Sequence, residues 1–168
     1  MVHPGFTGVM ARLTSGVIAA LLLLTGCSGP FPADPDGTLD RVSGDVLRAG
    51  VTANPPWTEV EPGAPPSGTE VELVTEFAES VGARVEWTTG SEEDLVGRMG
   101  DAELDVLVGG FTGASPWTDQ VAMTTPYTTV PDEHGAPEGH VMAVPLGENA
   151  MLVRLETFLL TEHRDVLP

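Results

Sequence analysis

The chain of 168 residues has no lysine, so its seven basic residues are all arginine. Against them stand 25 Asp and Glu, for a formal net charge of −18. A surface this negative repels phosphate backbones and anionic headgroups, which excludes nucleic acid as a partner. It keeps the chain soluble and favours cations at long range. Without lysine, Gly109-Gly110-x-x-Gly113 lacks the Lys-Ser/Thr of a phosphate loop. There is one cysteine, Cys27, so no intrachain disulfide can form. No serine sits in a G-x-S-x-G elbow. Asp132, Glu133, His134, Glu138 and His140 form the one group of histidines and acids. Its spacing fits no standard zinc site, and it reads as a solvated connector. No catalytic residue, metal or cofactor is therefore expected. Internal repeats are absent.

Acids are also missing from the first 26 residues. There Arg12 precedes an apolar run from Leu13 to Leu24, broken by Thr14, Ser15 and Gly16. A run of this length suits the core of a signal peptide and is too short to cross a bilayer. Leu24-Thr25-Gly26-Cys27 follows and resembles a lipobox. Residues 1–26 are read as a lipoprotein signal peptide and Cys27 as the lipidated residue. This predicts attachment to the extracytoplasmic face of the cell membrane. Residues 27–40, rich in Pro, Gly and Asp, are read as a flexible tether.

The remainder, residues 41–168, reads as one domain. Arg41 to Gly44 is expected as a short turn and Asp45 to Thr52 as the first strand. Thr69 to Glu72 has the pattern of a capping box. Val71, Val74, Phe77, Ala78 and Val81 then form an apolar stripe at helical spacing, stopped by Gly82. Glu70, Glu72, Glu76 and Glu79 are expected on the solvated face. Ala83 to Thr88 alternates as a second strand. Ser91 to Asp94 opens a second helix, its acids facing the positive helix end. Leu104 to Val108 is a buried strand that runs into Gly109-Gly110. Glycines there let the backbone turn and approach a ligand, and ligands of open α/β sheets sit at such strand ends. A short strand begins at Val121, Thr128 to Gly139 reads as a polar loop, and His140 to Leu146 as a last strand. A final helix carries Met151, Leu152, Leu155, Phe158 and Leu159 on one side, with His163 and Arg164 in its last turn. Short connections favour right-handed crossovers. The expected fold class is α/β, a mostly parallel sheet of about five strands flanked by helices.

Three phrases carry a resemblance: Leu47 to Thr52 with Pro55-Pro56-Trp57, Gly110-Phe111-Thr112, and Val121 to Tyr127. Together they resemble the family 3 extracellular solute-binding proteins. These are the amino-acid and polar-solute receptors of bacterial ABC importers, with the type 2 periplasmic-binding-protein fold. The resemblance implies that Trp57 stacks on a ligand. It implies that Gly110 and Thr112 offer backbone and hydroxyl groups, with Ser115 and Tyr127 beside them. Trp117 stands where the family has the arginine that grips the ligand's carboxylate. The family's second lobe has no counterpart, and the loop 128–139 takes its place, so a single lobe is expected. Trp57, Phe111 and Trp117 are then expected to form an exposed aromatic patch on the open cleft face. The implied function is a lipid-anchored protein working with a membrane permease, binding a small solute weakly or with a partner surface. A homodimer through the open face is one way to supply that surface. The alternative is a ligand-free interaction module, an accessory subunit of a transporter or sensor.

Overall fold

The computed structural model describes residues 31–132 and 134–162. The expectations for residues 1–26, Cys27, His163 and Arg164 lie outside these. In chain order the elements are α1 (Thr38–Val42), β1 (Val46–Val51), α2 (Thr69–Ser80), β2 (Arg84–Thr89), α3 (Glu92–Gly100), β3 (Val106–Val108), β4 (Val121–Met123), β5 (Thr128–Pro131), β6 (Pro137–His140), β7 (Ala143–Pro145) and α4 (Asn149–Glu162).

Five strands make one sheet in the order β2-β1-β3-β7-β4. β1 pairs in parallel with both β2 and β3. β7 lies antiparallel between β3 and β4. Four strands thus point one way and β7 the other. The reversal follows from the path: the chain returns at the carboxyl end of β3 and can only run back down the sheet.

The sheet is covered on both faces, as a mixed α/β layer requires. Leu47, Ala49, Val51, Val106 and Val108 pack with Val74 and Phe77 of α2 and with Leu155 and Phe158 of α4. Leu107 on the other face joins Leu95, Val96 and Met99 of α3 with Phe111. The apolar runs of β1 and β3 are buried on both sides, which is why they lack the alternation of a half-exposed strand.

Five expectations are corrected. The segment expected as a tether through Asp40 is structured from Ala33. Asp36 and Thr38 donate their amides to Glu148 at 3.0 Å each, and Ala150 donates to the Ala33 carbonyl. Of the turn expected at Arg41 to Gly44, Arg41 and Val42 instead end α1, Val42 entering the core, and Ser43-Gly44 make the turn. No capping box forms on α2, because Gly68, at φ 110°, holds the cap position and Thr69 is already helical. The loop 128–139 is a β-hairpin, with Thr128 opposite His140 and Pro131 opposite Pro137. Its tip is closed by Asp132, whose Oδ1 accepts the amides of His134 and Ala136. The strand expected from His140 to Leu146 is accordingly split, His140 ending β6 and Ala143–Pro145 forming β7.

Candidate functional site

β1 and β3 end side by side, with Val51 opposite Val108. The chain then turns through Gly109 at φ 121° and Gly110 at φ 90°. A Cβ on Gly109 would strike the Thr52 carbonyl oxygen, and one on Gly110 the Asn54 side chain. Only glycine permits this approach.

Glu70, from the first turn of α2, reaches beneath that turn and is fully buried. Its Oε2 accepts the Gly109 amide at 2.7 Å, the Gly110 amide also bonds it, and its Oε1 accepts the Tyr127 hydroxyl at 2.5 Å. Burial raises the carboxyl's pKa above its ordinary value, and the three donors pull it back. Burial, then the Glu70 charge and bond, push the Tyr127 hydroxyl well above its usual pKa.

His140, where β6 ends, lies against Trp57 with ring centroids 4.2 Å apart. Tyr127 meets the same indole edge-to-face at 6.5 Å. The His140 Nδ1 is buried with no hydrogen-bond partner and stands 4.0 Å from Glu70 Oε1. Burial lowers the imidazole's pKa, so it is neutral at neutral pH and the contact is not an ion pair.

The residues expected at the site divide into three groups. Trp57 and Tyr127 are buried under the hairpin and belong to the Glu70 cluster. Gly110 sits at its edge, its amide committed to Glu70. Thr112 and Ser115 stabilise their own turn: Ser115 Oγ accepts the Thr112 amide, and Thr112 Oγ1 accepts the Ala114 amide. Trp117 is half-buried beside α3, and its Nε1 donates to Glu92 Oε2 at 2.9 Å. The exposed aromatic patch is therefore corrected. His140 covers Trp57, and the returning chain, with Val141 bonded to the Phe111 carbonyl, buries Phe111.

Three residues of this region were not anticipated as site residues. Asn54 lies against Gly110, His140 was expected in a solvated connector, and Glu70 on a solvated helix face. The helical period did carry the Glu70 signal. Counting three, four and seven residues on from it gives Leu73, Val74 and Phe77, all buried.

The charge is arranged along the sheet. Arg41 and Arg48 bond Asp105 just before β3, and Arg84 opens β2. Arg98 pairs with Glu103 after α3, and Arg154 bonds Ser80 where α2 ends. All five lie at the amino end of the parallel strands. Among the described residues no arginine stands at the carboxyl edge to hold a carboxylate.

Residues 47–163 match the model of the bacterial extracellular solute-binding proteins, family 3. The chain is 32% identical over 128 residues to a membrane-bound lytic murein transglycosylase F of Maricaulis maris (strain MCS10), across 73% of this chain and 28% of that protein. It is 30% identical to the protein of the same name from Pseudomonas fluorescens (strain Pf0-1), across 74% of this chain and 25% of that one. It thus spans about a quarter of the length of these relatives. Among solved structures, a mutant of the arginine-bound form of domain 1 from TmArgBP superposes with a TM-score of 0.63 at 22% identity, covering 72% of this chain and 95% of that one. An ancestral amino acid-binding protein, a precursor of cyclohexadienyl dehydratase, gives 0.64 at 14% identity, covering 76% and 94%. These likenesses establish the fold.

Proposed function

The chain belongs to the bacterial extracellular solute-binding proteins, family 3, and on that premise we propose that it is a single-lobe extracytoplasmic binding domain. It takes a small polar solute at the carboxyl edge of its sheet and has no catalytic role. The observation that carries this reading is the Gly109-Gly110 turn, held open by buried Glu70 at the edge where ligands of such sheets sit. The groups beside it are Asn54, Thr112, Ser115 and Trp117. With Trp117 bonded to Glu92 and the arginines at the other end, the solute is neutral or cationic and not held by a carboxylate. The arginine-bound domain 1 from TmArgBP is a single domain holding a ligand, which supports a lone lobe as binder. An open edge buries less of a solute than a closed cleft, so affinity in the high micromolar range is expected.

Cys27 anchors the chain by lipid, and a membrane permease is the partner that receives the solute. The test of anchoring is Cys27→Ala, which should release the protein from membranes or leave it unprocessed. Binding is tested by thermal shift and calorimetry with amines, arginine, neutral sugars and α-amino acids. Stabilisation that tracks amine or sugar concentration is expected. A sub-micromolar carboxylate ligand bound at this edge would overturn the charge argument.

A second reading is an interaction module without a solute. It is favoured by the commitment of the Thr112 and Ser115 hydroxyls to their own turn. No shift with any solute, together with a crosslink from a position beside Trp117 to a membrane protein, would decide for it.

A further inference from the structure

A cavity of about 680 Å³ opens not at the carboxyl edge but at the opposite end of the sheet. That volume is within the range of small-molecule sites. Its wall includes Arg41, Arg48 and Asp105, with Met99, Leu104 and Leu146 as its apolar part. From the arginine pair held there on one buried carboxylate, we infer a second binding site, for a small monocarboxylate with a short apolar body. This inference is independent of the reading of the carboxyl edge.

Asp105 is fully buried, and Arg48 alone completes a fork on it: Nε reaches Oδ2 at 3.1 Å and Nη2 reaches Oδ1 at 2.6 Å. The Arg48 backbone amide adds a third bond at 2.9 Å. One guanidinium neutralises one carboxylate, yet Arg41 adds a second, with Nη2 at 2.5 Å and Nη1 at 3.3 Å. The two guanidiniums outnumber the floor carboxylate by one, and with Asp36 on the rim the charged groups lining the cavity sum to zero, so the preference for an anion rests on the N–H donors that Asp105 leaves unused.

A guanidinium has five N–H donors in a fixed fork. Arg41 gives two to Asp105. Arg48 gives two to Asp105 and one to the Ala102 carbonyl at 2.8 Å. The side chains remain 40% and 31% exposed, so their other donors are open to the cavity. Asp105 fixes both planes in advance, which lowers the ordering cost of binding an anion. Asp36 on the rim adds one exposed negative charge and selects against dianions. Leu146, 62% exposed, with buried Met99 and Leu104, provides apolar surface beside the charge.

The experiment uses the full chain with butyrate and benzoate as probes, and butylamine and inorganic phosphate for comparison. Thermal shift and calorimetry should show stabilisation by the two carboxylates, rising with concentration and diminished in Arg41→Gln, whereas any response to butylamine, which belongs to the carboxyl edge, should be the same in wild type and variant. Phosphate should bind more weakly than benzoate. Arg41→Gln should weaken benzoate binding by about tenfold or more, the worth of a charge-assisted bond. Arg84→Gln, in an exposed pair elsewhere, should leave it unchanged. If Arg41→Gln fails to unfold cooperatively, Leu146→Glu replaces it and should weaken binding to the same degree. No response to either carboxylate, tighter binding of phosphate, or a response unchanged in both variants would overturn the proposal.

Discussion

A carboxylate without access to water is costly unless its lone pairs are filled. Glu70 is filled by two glycine amides and a tyrosine hydroxyl. Glu70→Ala strands those donors and should cost on the order of 3 kcal/mol in chemical denaturation. Tyr127→Phe removes one bond and should cost about 1 kcal/mol. The two titratable neighbours act in opposite directions. His140 has a folded pKa below its ordinary value, so it contributes stability above about pH 6.5 that is lost as pH falls through the folded value. Glu70 has a raised folded pKa, so its contribution is present below about pH 4.3 and lost as pH rises. Replacing His140 with Gln isolates one of them. The stability of the wild type minus that of the variant should shrink between about pH 8 and pH 5.5. A constant difference would show that His140 titrates as in a peptide. Such behaviour was not legible in the sequence at this scale. Glu70 reads as one of four helical acids, and its partners lie 39 and 57 residues away.

Elements were legible where burial was continuous. The cores of β1, β3, α2, α3 and α4 follow from apolar runs and stripes, and β2, which has no fully buried residue, from its alternation. The hairpin was not, because Pro131 and Pro137 punctuate a polar stretch and read as breakers. A two-stranded ribbon has an open edge on each side, and the prolines face each other where neither must donate. The segment before α1 departs from its composition for a related reason. Its composition is that of a coil, but two of its amides found a carboxylate in Glu148, more than a hundred residues on. Burial pushes that carboxyl's pKa up, but the Asp36 and Thr38 amides outweigh it and hold the pKa below the ordinary value. Its contribution is therefore present above about pH 4.3 and lost on further acidification. Glu148→Ala should speed amide exchange at Asp36 and Thr38 while leaving that of β1 and β3 unchanged. Equal protection in the variant would show that α1 packing alone holds the segment.

At the scale of the whole molecule, basic charge is confined to one end of the sheet while acids lie at both. The described arginines gather at the amino end of the parallel strands, and the acids of the first turns of α2 and α3 lie at the other. Self-repulsion in a chain of −18 is relieved by screening. Raising salt from about 20 mM to about 500 mM should therefore raise Tm. A fall would mean that the arginine pairs on Asp105 outweigh the repulsion. The Asp105 site has its own pH signature. Burial acts to raise its carboxyl's pKa, but Arg48 and Arg41 hold it below the ordinary value. Its contribution is present above about pH 3.9 and fades on further acidification. The family and the lobe were legible from three short phrases. The second cavity was not, because no local pattern ties Arg41 and Arg48 to a residue 57 or more positions on.

Thr128 and His140 lie opposite each other, so the chain leaves the lobe and re-enters it at adjacent positions, about 5 Å apart. Neither position belongs to the five-stranded sheet. The hairpin is thus a socket. A guest domain whose own ends lie close together can be spliced between Pro131 and Pro137 without cutting any strand of the host. The lobe's architecture is in this sense modular, able to gain or shed an entire body at a single point in its sequence.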